Sequence, residues 1–226
     1  MIDNHPSIEI EKFATDVKSA LLRNSDVEEF QNMGEIADMV SFRNAVVNVT
    51  AVSIYIQGTS YRSQADCATV TEAIFTALSE HSKCKDIVSL GSYIVAVFDT
   101  AFKNDIDAAL DCVGKVTALF NLVNKIYGQT MHPGISYGVG MNYGKALLTK
   151  SMGGENPQYV WSGDAITVAT RLSEKASSEK KVYASYTIFN NLKEDYQKLF
   201  SKAFIENYYE ATPVNIARNK WINANV

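Results

Sequence analysis

Basic charge, cysteine, histidine and long apolar runs are all scarce in this chain, and each scarcity removes a class of function. Its 226 residues carry 21 Lys and Arg against 25 Asp and Glu, a formal net charge of −4 with a pI near 5.4. A surface that binds nucleic acid or an anionic membrane concentrates positive charge, so neither is expected as the main partner. No apolar run approaches the ~18 residues that a membrane span needs. Met1-Ile2-Asp3-Asn4-His5-Pro6 has neither the basic region nor the apolar stretch of a secretory signal. Cys67, Cys84 and Cys112 are isolated and odd in number, which reads as reduced, packed thiols of a cytoplasmic protein rather than disulfides or metal ligands. His5, His81 and His132 are scattered and read as surface or capping residues.

What is present is a hydrophobic fraction of 46%, enough for a sizeable core in one domain with an extension. No long repeat, low-complexity tract or flexible linker interrupts it. Ile10, Phe13, Val17 and Leu21 predict an amphipathic helix over Glu9–Leu22. Val46–Ile56 reads as a strand, and Ser63 with Asp66 as the capping signal of a helix reaching Ser82. Two strands surround Gly91, and the spacing of Ile106, Ala109, Leu110, Val113, Val116, Phe120, Val123 and Ile126 predicts a long helix ended by Gly128. A strand at Gly134–Val139 is expected to turn at Asn142-Tyr143-Gly144 into a second over Lys145–Lys150. A helix from Gly163 to about Ala176, with Asp164 as cap or dipole partner, precedes a strand at Lys181–Ala184 and a short helix at Tyr186–Leu192. Phe200, Phe204, Tyr208, Tyr209 and Trp221 give the tail enough aromatic surface to dock.

Three stretches carry chemistry. In Tyr159-Val160-Trp161-Ser162-Gly163-Asp164-Ala165-Ile166-Thr167-Val168-Ala169-Thr170-Arg171, a strand passes through a glycine turn into a helix. Thr167 and Arg171 stand one helical turn apart there and project from one face. A planar guanidinium in that place suits charge building on a phosphate. Val52–Tyr61 is an apolar strand running through Gln57 into the small-residue turn Gly58-Thr59-Ser60, whose backbone N–H groups are placed to cradle phosphate; an ordinary polar turn is an equal reading. Ile87–Phe98 is a hairpin around Gly91-Ser92.

In order and spacing these stretches resemble the class III nucleotide cyclase family, from Val46 to Leu192. The resemblance implies an α+β fold, a cyclase-like sandwich on a ferredoxin-like βαββαβ core with an N-terminal helix and an aromatic-rich C-terminal extension. The expected divisions are 1–45, 46–192 and 193–226. It also implies roles. Arg171 stands in the transition-state Arg position and Thr167 where the family has Asn, while Gln57 and Ser92 stand where the family has the two metal-binding Asp residues. Val88 and Val160 stand where purine-selecting members place Lys and Asp, and two valines offer a base edge no hydrogen bond.

Cyclisation requires the ribose 3′-oxygen to attack the α-phosphorus with two divalent cations assisting. Magnesium prefers charged carboxylates, and an amide and a hydroxyl cancel none of its charge. The isolated chain is therefore expected to need no cofactor and to act as a pseudo-cyclase, a dimeric nucleotide-binding or regulatory module. The alternative is an active cyclase using Mg²⁺ or Mn²⁺. It would work in a heterodimer with a carboxylate-bearing cyclase, or through other ligands such as Asp66, Glu72 or Asp99, and resembles stand-alone bacterial cyclases that make cyclic pyrimidine nucleotides in anti-phage signalling. A third reading is a structural partner whose pocket is closed by Tyr55, Tyr61 and Tyr93. The implied ligand is a nucleoside triphosphate, and the implied assembly a homodimer whose sites draw on both chains.

Overall fold

Strand alternation sets the architecture, because two long strands present opposite side-chain rows to two different helical layers. A computed structural model describes residues 15, 18–19, 27–34, 44–57, 64–129, 134–151, 158–203, 207–212 and 216–225. In chain order these form β1 (Glu28–Phe30), β2 (Asn44–Gln57), α1 (Gln64–Ser79), β3 (Cys84–Leu90), β4 (Tyr93–Phe98), α2 (Lys103–Gln129), β5 (Ser136–Ser151), β6 (Gln158–Ser162), α3 (Asp164–Ser177), β7 (Val182–Ser185), α4 (Tyr186–Asn191), α5 (Glu194–Gln197), β8 (Phe200–Lys202), β9 (Tyr208–Ala211) and α6 (Ile216–Asn225). The chain divides into a smaller unit, Met1–Val47 with Leu147–Trp161, and a larger one, Asn48–Ala146 with Ser162–Val226.

The larger unit is an α+β assembly on a sheet of order β3-β4-β2-β5-β7-β9-β8. Its run β2-α1-β3-β4-α2-β5 is a βαββαβ core, to which β7 adds parallel to β5 and β9 antiparallel to β7. Val52 and Ile54 of β2, Ile94, Ala96 and Phe98 of β4 and Tyr137, Val139 and Met141 of β5 join one apolar core with Val70, Ile74 and Leu78 of α1 and Ile106, Leu110, Val113, Val116 and Phe120 of α2. Each fully buried large side chain there contributes about 1.5–3 kcal/mol, and Phe120 stacks on Tyr137 with centroids 3.9 Å apart. The alternate row faces α3, where Leu172 and Ala176 pack with Tyr183 of β7. In the smaller unit β1 runs parallel to the start of β2, Glu28 beside Ala45 and Phe30 beside Val47, and β6 pairs with β5.

Two expectations are corrected. Asn142-Tyr143-Gly144 is not a turn, because β5 runs unbroken through it. A two-residue hairpin turn needs positive φ, and among the described glycines only Gly91 and Gly163 have it. The Asn142 amide instead donates to the Asp164 carbonyl at 3.1 Å. Gly128 does not end its helix, which continues to Gln129. Gly163, at φ 109°, is the N-cap of α3, with Asp164 in the first turn as a dipole partner. The helix expected over Glu9–Leu22, and Ser63 with the Asp66 side chain, lie outside the described residues apart from helical positions at 15, 18 and 19.

Candidate functional site

Cross-strand pairing brings the two candidate metal positions to one end of the sheet. Gly91, at φ +59°, turns the chain between β3 and β4 in the left-handed region that glycine tolerates. β4 then returns antiparallel to β2 with Tyr93 opposite Tyr55. The Ile56 N–H donates to the Ser92 carbonyl at 2.9 Å, so the same register sets Gln57 across from the Gly91 turn. Gln57 and Ser92 are both exposed. Beside them the Tyr55 and Tyr93 rings lie 4.9 Å apart and tilted by 39°.

This donor set does not fit a pair of divalent cations. An amide and a hydroxyl are neutral, whereas hard cations are held by carboxylates. Among the described residues no three His, Cys, Asp or Glu side chains converge. Asp99 cannot compensate within this chain. It follows Phe98, which pairs with Thr50, and Thr50 lies seven residues along β2 from Gln57. At ~3.3 Å per residue that is more than about 20 Å. Glu72 is exposed on α1.

The second half of the constellation sits on α3, which the sheet grips along its length. Gly138 and Gly140 let the helix backbone touch the strand; a Cβ at Gly140 would stand 2.0 Å from the Ala169 carbonyl oxygen, and one at Gly138 2.1 Å from that of Ser173. The buried Ser53 and Ser173 hydroxyls pair at 3.0 Å. Ala165, Ala169, Leu172, Ser173 and Ala176 form the buried face. Thr167, Arg171, Glu174 and Lys175 are left exposed. The Thr167 N–H donates to the Gly163 carbonyl at 3.0 Å, the opening bond of the helix.

Sequence reasoning missed Glu174. The Tyr93 hydroxyl, one residue after Ser92, donates to the Glu174 carboxylate, which ties the hairpin to α3. That hydrogen bond pushes the Tyr93 phenol up to about 12, with desolvation adding to it, so the phenol is the neutral donor. Lys175 leans over the Tyr208 ring, 5.7 Å from its centroid. No sequence signal pointed to this pair, since Tyr93 is 81 residues away from Glu174 in sequence.

The two residues expected from the resemblance to face a base are both exposed. Val88 on β3 is 43% exposed and Val160 on β6 is 53% exposed; the first belongs to the larger unit and the second to the smaller. Gly58, Thr59, Ser60 and Tyr61 lie outside the described residues. His81 accepts the Lys83 N–H at Nδ1, 3.1 Å away. Burial pushes Cys84 up to about 12 and Cys112 up as well, which keeps both as thiols.

Residues 37–208 match the family model for the adenylate and guanylate cyclase catalytic domain. A uridylate cyclase from Treponema porcinum is 24% identical over 219 residues, 88% of this chain and 76% of its own length. The adenylyl cyclase CyaB from P. aeruginosa superposes with a TM-score of 0.63 at 12% identity, over 77% of this chain and 98% of that one. The guanylate cyclase domain of RhGC from Catenaria anguillulae, solved in complex with GTP, gives a TM-score of 0.57 at 14% identity, over 74% and 97%.

Proposed function

Because the chain belongs to the adenylate and guanylate cyclase catalytic domain family, we propose that it binds a nucleoside triphosphate through the Arg171 face of α3 without cyclising it alone. One observation carries this reading: Gln57 and Ser92, both neutral and exposed, lie at the same hairpin end of the sheet, while Arg171, the proposed counterpart of the transition-state Arg, is exposed on α3. A guanidinium there neutralises phosphate charge. Neither Gln57 nor Ser92 supplies the negative charge that would gather cations for the attack. The chain's own part is thus to hold and orient the triphosphate. Thr167 offers a hydroxyl one turn before Arg171, a weaker hydrogen-bonding group than the Asn amide. Gly58, Thr59 and Ser60, which follow Gln57 in the sequence, are the proposed phosphate-binding residues through their backbone N–H groups.

Assembly follows from the same reading. A homodimer would carry two such sites, each without carboxylates, and would serve as a regulatory or binding module. A heterodimer with a carboxylate-bearing cyclase would combine that partner's cation site with Arg171 of this chain.

A second reading is an active cyclase of pyrimidine nucleotides, favoured by the similarity to the Treponema porcinum uridylate cyclase across 88% of the chain. The valines at 88 and 160, which offer no purine-selective hydrogen bond, agree with it. One incubation separates the two: purified protein with all four ribonucleoside triphosphates and Mg²⁺ or Mn²⁺, followed by mass detection. The pseudo-cyclase reading expects no cyclic product above background. Cyclic UMP or CMP that disappears in Arg171→Ala would establish the second reading instead.

A further inference from the structure

Glu174 stands three residues after Arg171 on the exposed face of α3, a spacing at which opposite charges on a helix meet and pair. They do not pair here. Among the described residues Arg171 makes no salt bridge, and the Glu174 carboxylate accepts the Tyr93 hydroxyl instead. The other charged neighbour, Lys175, is drawn towards Tyr208. Both side chains that crowd the turn after Arg171 are thus diverted, one towards the hairpin and one towards β9.

We propose that Tyr93 is a positioning residue that holds Glu174 away from Arg171 and so keeps the guanidinium free for an anionic ligand. The physical reason is competition for one carboxylate. A carboxylate accepting from a phenol fixed in the sheet is pointed towards β4, whereas a released one can swing to the guanidinium one turn earlier. Tyr93 is suited to the task because its ring is braced against Tyr55 and its backbone is fixed in the β2–β4 ladder. The charge left beside Arg171 is then its own, and a phosphate meets a guanidinium that has not been neutralised. The identity of the ligand as a triphosphate rests on the function proposed above; the diversion of Glu174 does not.

The test is a double-mutant cycle read at Arg171 itself. Purified full-length wild type, Tyr93→Phe, Glu174→Gln and the double variant are treated with phenylglyoxal at one fixed pH, and the modification rate at Arg171 is followed by peptide mass spectrometry. An exposed helical ion pair of this spacing corresponds to an approximately twofold loss of free guanidinium. Tyr93→Phe should therefore slow Arg171 modification about twofold and have no effect in the Glu174→Gln background. A purely structural role would slow the reaction equally in both backgrounds; that result, or an unchanged rate in Tyr93→Phe, overturns the proposal. Inorganic tripolyphosphate in a parallel wild-type reaction addresses the ligand separately. Failure to protect Arg171 would refute the triphosphate reading, whereas the coupling between Tyr93 and Glu174 is decided by the four modification rates alone.

Discussion

Replacing Gly140 by Ala tests whether α3 is held by backbone contact with β5. The new Cβ would stand 2.0 Å from the Ala169 carbonyl oxygen, 2.5 Å from the Ser173 amide nitrogen and 2.9 Å from the Leu172 Cβ. An ordinary contact begins near 3.4 Å, so the helix would have to retreat by about 1.4 Å, the difference between 3.4 and 2.0 Å. Two fixed points resist this movement, the Ser53–Ser173 hydroxyl pair at 3.0 Å and the Asn142 bond to Asp164 at 3.1 Å. Overpacking costs about 1–3 kcal/mol, and each buried polar group that loses its partner about 1–3 more. The expected loss is about 3 kcal/mol or more, a fall in the urea midpoint of about 1 M or more. Gly144→Ala is the internal control. Its nearest atoms would be 3.7 and 3.9 Å from the new Cβ and its φ is not positive, so its midpoint should barely move. Equal midpoints for wild type and Gly140→Ala, measured by circular dichroism, would refute the close packing.

Two further perturbations probe other parts of the larger unit. Asp107 is buried, accepts the Lys193 N–H at 3.2 Å and lies 3.2 Å from its ammonium; Asp107→Ala should cost about 2 kcal/mol by urea denaturation, and Asp107→Asn, which keeps an acceptor, clearly less. Burial pushes Tyr137 up to about 12 from 10.0. A raised folded-state value means that stability is fully present below pH 10 and falls as pH rises towards 12, because the unfolded chain ionises first. Tyr137→Phe should flatten that decline between urea midpoints at pH 9 and pH 11, and an unchanged slope would contradict the assignment.

Much of this was legible because burial imposes period. The apolar rows that predicted β2 and α2 are the same residues that fill the core: Val52 and Ile54 alternate, and Ile106, Leu110, Val113 and Phe120 recur at helical spacing. Thr167 and Arg171 could be placed on one exposed helical face for the same reason. The local turn signal at Asn142 failed because tertiary contacts outweigh it; β5 lies between β2 and β7, and the Asn142 amide is used on α3. Glycine was ambiguous in the same way, since Gly138 and Gly140 serve close packing where only a turn or a strand could be read. The Tyr93–Glu174 bond was beyond reach of sequence pattern, because it exists only once the hairpin and α3 meet on the folded sheet.

The most direct test of the central claim is to restore the charge at the hairpin end. Calorimetric titration of Mn²⁺ into wild type, Gln57→Asp, Ser92→Asp and the double variant isolates the contribution of each position. The account predicts negligible binding by wild type, little gain from either single change, and clearly tighter binding by the double variant, because both carboxylates are needed to hold the ions. A double variant that binds Mn²⁺ no better than wild type would mean that Gln57 and Ser92 are not where the metal carboxylates were lost.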